Sequence, residues 1–174
     1  MTIWIILRSL QLQLPLVLGV LCFLSTSFAV AQQNESLVGL WTLEKVAYKK
    51  LKINPTSTQE NLVDLFKAAL YNTLNNKQQL VVEELDLINA KAGELAHLLY
   101  QSTIDFQVNR AFYNRSKLLE RPTSGEYLLD GKKLFMEWET ADKYTYKILK
   151  INASELVLKD VDLKVIYYYK TKAD

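Results

Sequence analysis

The chain has one histidine, His97, and one cysteine, Cys22, and this scarcity excludes much chemistry. A nucleophilic triad needs a base beside its nucleophile. His97 stands alone in a stretch with helical spacing, where a lone imidazole is ordinarily a surface or packing residue. Two acid pairs remain as candidates for proton transfer. Glu83 and Glu84 are adjacent, so a helix sends them in diverging directions. Glu137 and Glu139 share one face of an alternating segment, but Leu134, Met136 and Trp138 take the other face, which puts the acids on the solvent side. The five glycines are scattered and make no loop that could cradle a phosphate. No catalytic residue, metal ligand or cofactor is assigned, and the expectation is a protein that is not an enzyme.

The aromatic residues are the better lead. Phe106, Tyr127, Met136, Trp138, Tyr144, Tyr146, Tyr167 and Tyr169 all fall on one face of alternating segments. Phe106, Met136, Trp138, Tyr144, Tyr146 and Tyr167 are the candidate ligand-lining set. Tyrosine combines apolar area with a hydrogen-bonding tip, which suits an amphipathic ligand. An eight-stranded barrel is just wide enough to be filled by side chains or to hold one small ligand. Both alternatives stay open at this level: a filled core, or a partly open apolar pocket.

Three zones must position these residues. Leu37 to Tyr48 reads as a strand, with Trp41 and Leu43 on one side and a bulge where the alternation shifts to Val46 and Tyr48. Lys50 to Pro55 extends it or forms a short extra strand. A helical zone follows over about 57–100. Ser57 and Glu60 fit a capping box, and Leu62, Leu65, Phe66, Ala69, Leu70 and Thr73 recur at helical spacing up to about Leu74. Asn75-Asn76 breaks the pattern. A second helix runs from about Gln78 to Tyr100 on the stripe Val81, Leu85, Ile88, Ala92, Leu95 and Leu99. Both apolar stripes call for packing against the sheet.

The third zone alternates with period two. Strands are expected at Thr103–Asn109 (Ile104, Phe106 and Val108 on one face), Glu126–Leu129, Lys133–Glu139, Tyr144–Ile148, Glu155–Lys159 and Leu163–Lys170. Asp130-Gly131 signals a type I′ hairpin. That makes seven strands, or eight with Lys50 to Pro55. The fold class is mainly β with two helices (α+β). Short connections make the sheet an antiparallel up-and-down meander, and closure into a barrel removes its edges.

Residues 1–31 have the parts of a cleavable export signal. Arg8 is the only charge before Glu35, an apolar run from Leu14 to Leu24 follows, and Ala29-Val30-Ala31 supplies the small-residue site. An uncut membrane anchor and a lipidated Cys22 are the alternatives. Ser25-Thr26-Ser27 dilutes the first, and the large Leu21 before the cysteine opposes the second. Removing 31 residues from 174 leaves 143 without cysteine, so the single domain at 32–174 relies on its core rather than on disulfides. The segment carries one arginine and no acid, so its loss lowers the net charge from +2 to +1. Such a balance points to no nucleic-acid partner, and no integral membrane span remains after cleavage. The protein is expected outside the cytoplasm, periplasmic or extracellular.

Gly39-Leu40-Trp41 resembles the Gly-x-Trp signature of lipocalins. Together with the Gly125–Gly131 hairpin, Tyr146-Lys147-Ile148-Leu149, and Leu156-Val157-Leu158 leading to Tyr169-Lys170, it resembles the secreted lipocalin-like domains of the Bacteroidetes. The resemblance covers about residues 37–48 and 102–171. It implies a calycin-type barrel, with Gly39 and Trp41 as structural residues and Trp41 packed across the closed end. It also implies a basic residue over that tryptophan, a role for Lys170 or Lys172. The Thr-Asp-Tyr motif of typical lipocalins is absent as such. The resemblance favours a bacterial source, where the glycosylation patterns at Asn34, Asn114 and Asn152 carry no meaning.

The leading functional expectation is an exported, non-enzymatic protein that binds a small apolar or amphipathic ligand in the barrel. The alternative is an envelope or extracellular module with a filled barrel that binds protein or glycan through its helices or outer surface. A third class is an enzyme of a type the sequence does not reveal.

Overall fold

The computed structural model describes residues 37–73 and 82–171. The expected signal at 1–31, the break at Asn75-Asn76, Val81 and Lys172 lie outside the described residues. β1 (Gly39–Tyr48) and β2 (Leu51–Ile53) precede α1 (Gln59–Thr73) and α2 (Val82–Leu99). Seven strands follow: β3 (Thr103–Phe106), β4 (Ala111–Arg115), β5 (Thr123–Asp130), β6 (Lys133–Trp138), β7 (Lys143–Ile151), β8 (Glu155–Asp160) and β9 (Ile166–Thr171). Every pairing is antiparallel between neighbours in the order β2-β1-β3-β4-β5-β6-β7-β8-β9, and β1 also pairs with β9. Eight strands, β1 and β3 to β9, therefore form a closed up-and-down barrel. This is the lipocalin-like architecture that the resemblance implied.

β1 is long because it serves three partners. One edge runs along β9 from Trp41 to Ala47. The other pairs with β3 over Gly39–Thr42, then leaves it and pairs with β2 over Val46–Tyr48. The two helices are inserted between β2 and β3, after the first strand and its short hairpin. The expected bulge is present as a register shift between Leu43 and Lys45, and it lets Trp41, Leu43, Val46 and Tyr48 all point inward and be buried. Gly39 enters the strand at φ +136°, a conformation that side-chain-bearing residues rarely adopt.

Several boundaries differ from the sequence reading, each for a local reason. The helix cap is Thr58, not Ser57. The Thr58 hydroxyl accepts the Asn61 amide at 3.4 Å, whereas the Ser57 hydroxyl donates to the Asn54 carbonyl at 2.7 Å. The hairpin turn is centred on Gly131 and Lys132, since Asp130 still pairs with Lys133, and of these residues Gly131 alone has positive φ, at +54°. The expected strand 103–109 is really a hairpin. β3 ends at Phe106, the chain turns with Arg110 at φ +70°, and β4 returns. Val108, expected inside with Ile104 and Phe106, sits in that turn and is 84% exposed.

Lys170 does not cover Trp41. It faces outward and pairs with Glu44 at 2.8 Å. Trp41 is instead buried with its indole N–H donated to the Leu37 carbonyl at 2.9 Å.

One core joins helices and barrel. Leu62, Leu65, Phe66 and Ala69 of α1 and Ala92, Leu95 and Ala96 of α2 are buried in the same cluster as the strand residues. α1 packs on α2, β1 and β2. Leu85, expected in the α2 stripe, is 40% exposed, while Ile88 below it is buried. No helix among the described residues is long and apolar enough to cross a membrane.

Candidate functional site

The barrel interior is built from two strings of aromatic rings. Tyr127 meets Phe106 edge-on at 5.1 Å, Phe106 meets Phe112 at 6.3 Å, and Phe112 meets Trp138 edge-on at 4.9 Å. On the other side Tyr144 stacks on Tyr146 at 6.4 Å, and Tyr146 meets Tyr167 edge-on at 5.8 Å. Edge-to-face and offset contacts of this kind fill space efficiently.

The first string depends on a residue with no side chain. Gly125 lies between Phe112 and Trp138 in register, so the two rings can meet across it. A Cβ at Gly125 would collide with the Glu137 carbonyl oxygen and lie 2.8 Å from the Phe112 ring.

Burial raises the pKa of Tyr146, Tyr167 and Tyr169, and neighbouring tyrosines and Asp160 add to the effect at Tyr146 and Tyr167. These hydroxyls stay neutral donors or acceptors throughout the physiological range. Asp160 is itself buried. Its carboxylate accepts the Asp162 and Leu163 amides at 2.8 and 2.7 Å, while desolvation pushes its pKa up.

One void of the barrel interior, of about 40 Å³, is lined by Met136, Trp138, Tyr144, Tyr146 and Tyr167 and by Leu95, Leu98 and Leu99 of α2. That accommodates ordered water and falls well short of the ~300 Å³ at which small-molecule pockets begin. Of the two alternatives left open by the sequence, the filled core fits this volume. Phe106 is fully buried between Phe112 and Tyr127.

A larger pocket of about 430 Å³ lies just outside the filled barrel. One wall is α2, with Gly93, Glu94, His97 and Leu98. A second is the β4–β5 connection, with Leu119, Pro122, Thr123 and Ser124. The third is the end of β6 and the turn to β7, with Trp138, Glu139, Thr140, Asp142 and Tyr144. Of the six candidate residues, Trp138 and Tyr144 reach this pocket. Met136, Tyr146 and Tyr167 lie behind it around the interior void. The Trp138 indole N–H is buried and has no acceptor among the described residues.

The pocket exists because α2 ends on the barrel in a defined way. The last carbonyls of a helix lack partners within it, and here β4 and the residue after it supply them. Asn114 donates to the Leu98 carbonyl at 3.0 Å, and the single Ser116 hydroxyl proton is shared between the carbonyls of His97 and of Tyr100, the latter at 2.9 Å and also accepting the Lys117 amide. Both side chains are buried. His97 Nε2 lies 2.9 Å from the Leu118 carbonyl oxygen, which ties the β4–β5 connection to the helix. On the far side Lys91 bridges Glu94 at 2.9 Å and Asp142 at 3.7 Å. Sequence reading passed over Asn114 and Ser116 because polar residues facing inward break the apolar alternation that marks a strand.

A second groove of about 460 Å³ lies on the outside of β8, β9, β1 and β2, but its charges are largely matched, with Lys170 on Glu44 at 2.8 Å and Lys150 on Glu155.

No family model matches the sequence, and no curated protein matches it. The structure is similar to that of a lipocalin-like protein from Bacteroides uniformis, at 13% identity and TM-score 0.47, covering 79% of this chain and 99% of that one. It is also similar to an uncharacterized protein from Bacteroides eggerthii, at 11% identity and TM-score 0.44, covering 78% and 98%. A duf4847 family protein from Bacteroides vulgatus matches at 11% identity and TM-score 0.41, covering 78% and 94%.

Proposed function

We propose that this is an exported, non-enzymatic protein that binds a small apolar or amphipathic molecule at the barrel mouth. The observation that carries the reading is the pocket of about 430 Å³ between α2 and the barrel rim. Its volume lies within the ~300–1,000 Å³ range of small-molecule sites. Its lining combines apolar Leu98, Leu119 and Pro122 and aromatic Trp138 and Tyr144 with a few polar groups that would orient a ligand. The buried interior aromatics support this site from behind rather than form it. Binding is favoured over catalysis because the one imidazole in the chain is engaged with the Leu118 carbonyl. Export rests on the signal features of residues 1–31.

The test is titration with Nile red, a neutral apolar dye, followed by its emission. The wild-type protein should enhance and blue-shift the dye, and Leu119→Trp, which fills the pocket, should abolish the effect without lowering the melting temperature. No enhancement by the wild type, or equal enhancement by a folded Leu119→Trp protein, would defeat the reading.

The surface-interaction alternative keeps one observation of its own. Leu128 and Phe135 are directly opposed on the outer face of β5 and β6, and both are exposed.

A further inference from the structure

We infer that the ligand of the mouth pocket carries a cationic head on an apolar body, an inference that rests on the binding reading above. Three carboxylates line the pocket, those of Glu94, Glu139 and Asp142, and no lysine or arginine does. The Lys91 ammonium is divided between Glu94 at 2.9 Å and Asp142 at 3.7 Å. Lys143, next along the chain from Asp142, is engaged by Glu137 at 3.1 Å. Glu139 has no cationic partner among the described residues. The charge of the lining residues themselves is therefore unbalanced towards the negative, while Leu98, Leu119 and Pro122 supply apolar surface.

The aromatic residues act in the same direction. Trp138 and Tyr144 flank the acidic rim, and the faces of such rings attract cations. An amine or quaternary ammonium seated there meets Glu139 beside the two rings, while its chain lies on Leu98, Leu119 and Pro122. An anionic head in the same place would face the three carboxylates with only the already shared Lys91 to offset them.

The experiment uses protein recovered after expression of the full chain and three amphiphiles of matched chain length, each below its micelle concentration: decyltrimethylammonium, decyl maltoside and decanoate. Calorimetric titration should rank the cation above decanoate by about tenfold or more at low salt, and added salt should narrow that gap by screening. Measured against decyl maltoside on the same variant, Glu139→Lys should weaken decyltrimethylammonium and strengthen decanoate. Decanoate binding as tightly as the cation, or a Glu139→Lys protein that keeps the cation preference, would overturn the inference while decyl maltoside binding kept the pocket itself. Failure of all three amphiphiles to bind would remove the pocket reading and this inference together.

Discussion

The Asn114 side chain, on β4, donates to the Leu98 carbonyl at the end of α2, 3.0 Å away. This bond fastens the helical insertion to the barrel, and with the Ser116 bond to the His97 carbonyl it satisfies helix-end carbonyls. The pocket beside it depends on where that helix ends. Asn114, part of a glycosylation pattern in the sequence, is thus a buried structural donor.

Replacing Asn114 by Leu keeps the bulk and removes the donor. The Leu98 carbonyl is then left unpaired, which should cost about 1–3 kcal/mol. The denaturant midpoint should fall accordingly, and amide exchange should accelerate at the end of α2 and in residues 97–103. Unchanged protection there would mean that packing alone holds the helix.

Gly125→Ala should be among the more damaging single-methyl changes in this fold. The new Cβ meets the Glu137 carbonyl oxygen, part of the ladder backbone, and the Phe112 ring. Overpacking of this kind typically costs about 1–3 kcal/mol. Because Phe112 and Trp138 touch across Gly125, the Trp138 emission should shift as well. Wild-type stability and emission would show that the strands can separate freely at this point.

Trp41→Ala should lower stability by about 3–5 kcal/mol, the usual loss for a buried aromatic. Trp41→Phe keeps a buried ring but removes the N–H that reaches Leu37 together with part of the indole volume. Its expected cost is smaller than that of Trp41→Ala and includes about 1–3 kcal/mol for the unpaired carbonyl. Equal losses in the two variants would show that the hydrogen bond, not the burial, secures the start of β1.

Asp160 should give the stability a pH dependence of defined sign. Burial pushes its carboxyl above the ordinary 3.8, against the Leu163 and Asp162 amide bonds that pull it down. The folded chain thus holds this proton more tightly than the unfolded chain does. The stability it contributes is present below the unfolded value and is lost as pH rises through the folded one. Asp160→Asn retains an acceptor for the two amides and does not titrate. Relative to that variant, the wild type should lose stability as pH rises from about 3 towards neutrality; a difference independent of pH would contradict the shift.

Much of the β architecture was legible because its signals are local. Period-two alternation marks which side chains share a face, so Tyr127, Met136, Trp138, Tyr144, Tyr146, Tyr167 and Tyr169 were all placed inward; Tyr127, Met136, Tyr167 and Tyr169 are buried in the core, and Trp138, Tyr144 and Tyr146 pack partly buried against it. The Leu43–Lys45 bulge and the two helices were legible for the same reason. The misses were local signals with two readings. Ser57 and Thr58 both cap well, Asp130 and Gly131 both suit turns, and the inward Asn114 hid β4.

The sequence by itself determined a meander of alternating strands, a helical pair after the first strand and an inward supply of aromatic rings. Only the tertiary structure decided that those rings pack against one another around a void of about 40 Å³ and that a pocket of about 430 Å³ lies between α2, the β4–β5 connection and the end of β6. The physical reason is that strand periodicity depends on neighbours in the chain, whereas volume depends on how distant rings interlock. Gly125 admits Phe112 to Trp138 across three strands, and Asn114 and Ser116 set where α2 stops. Neither relation has a spacing that can be read along the chain.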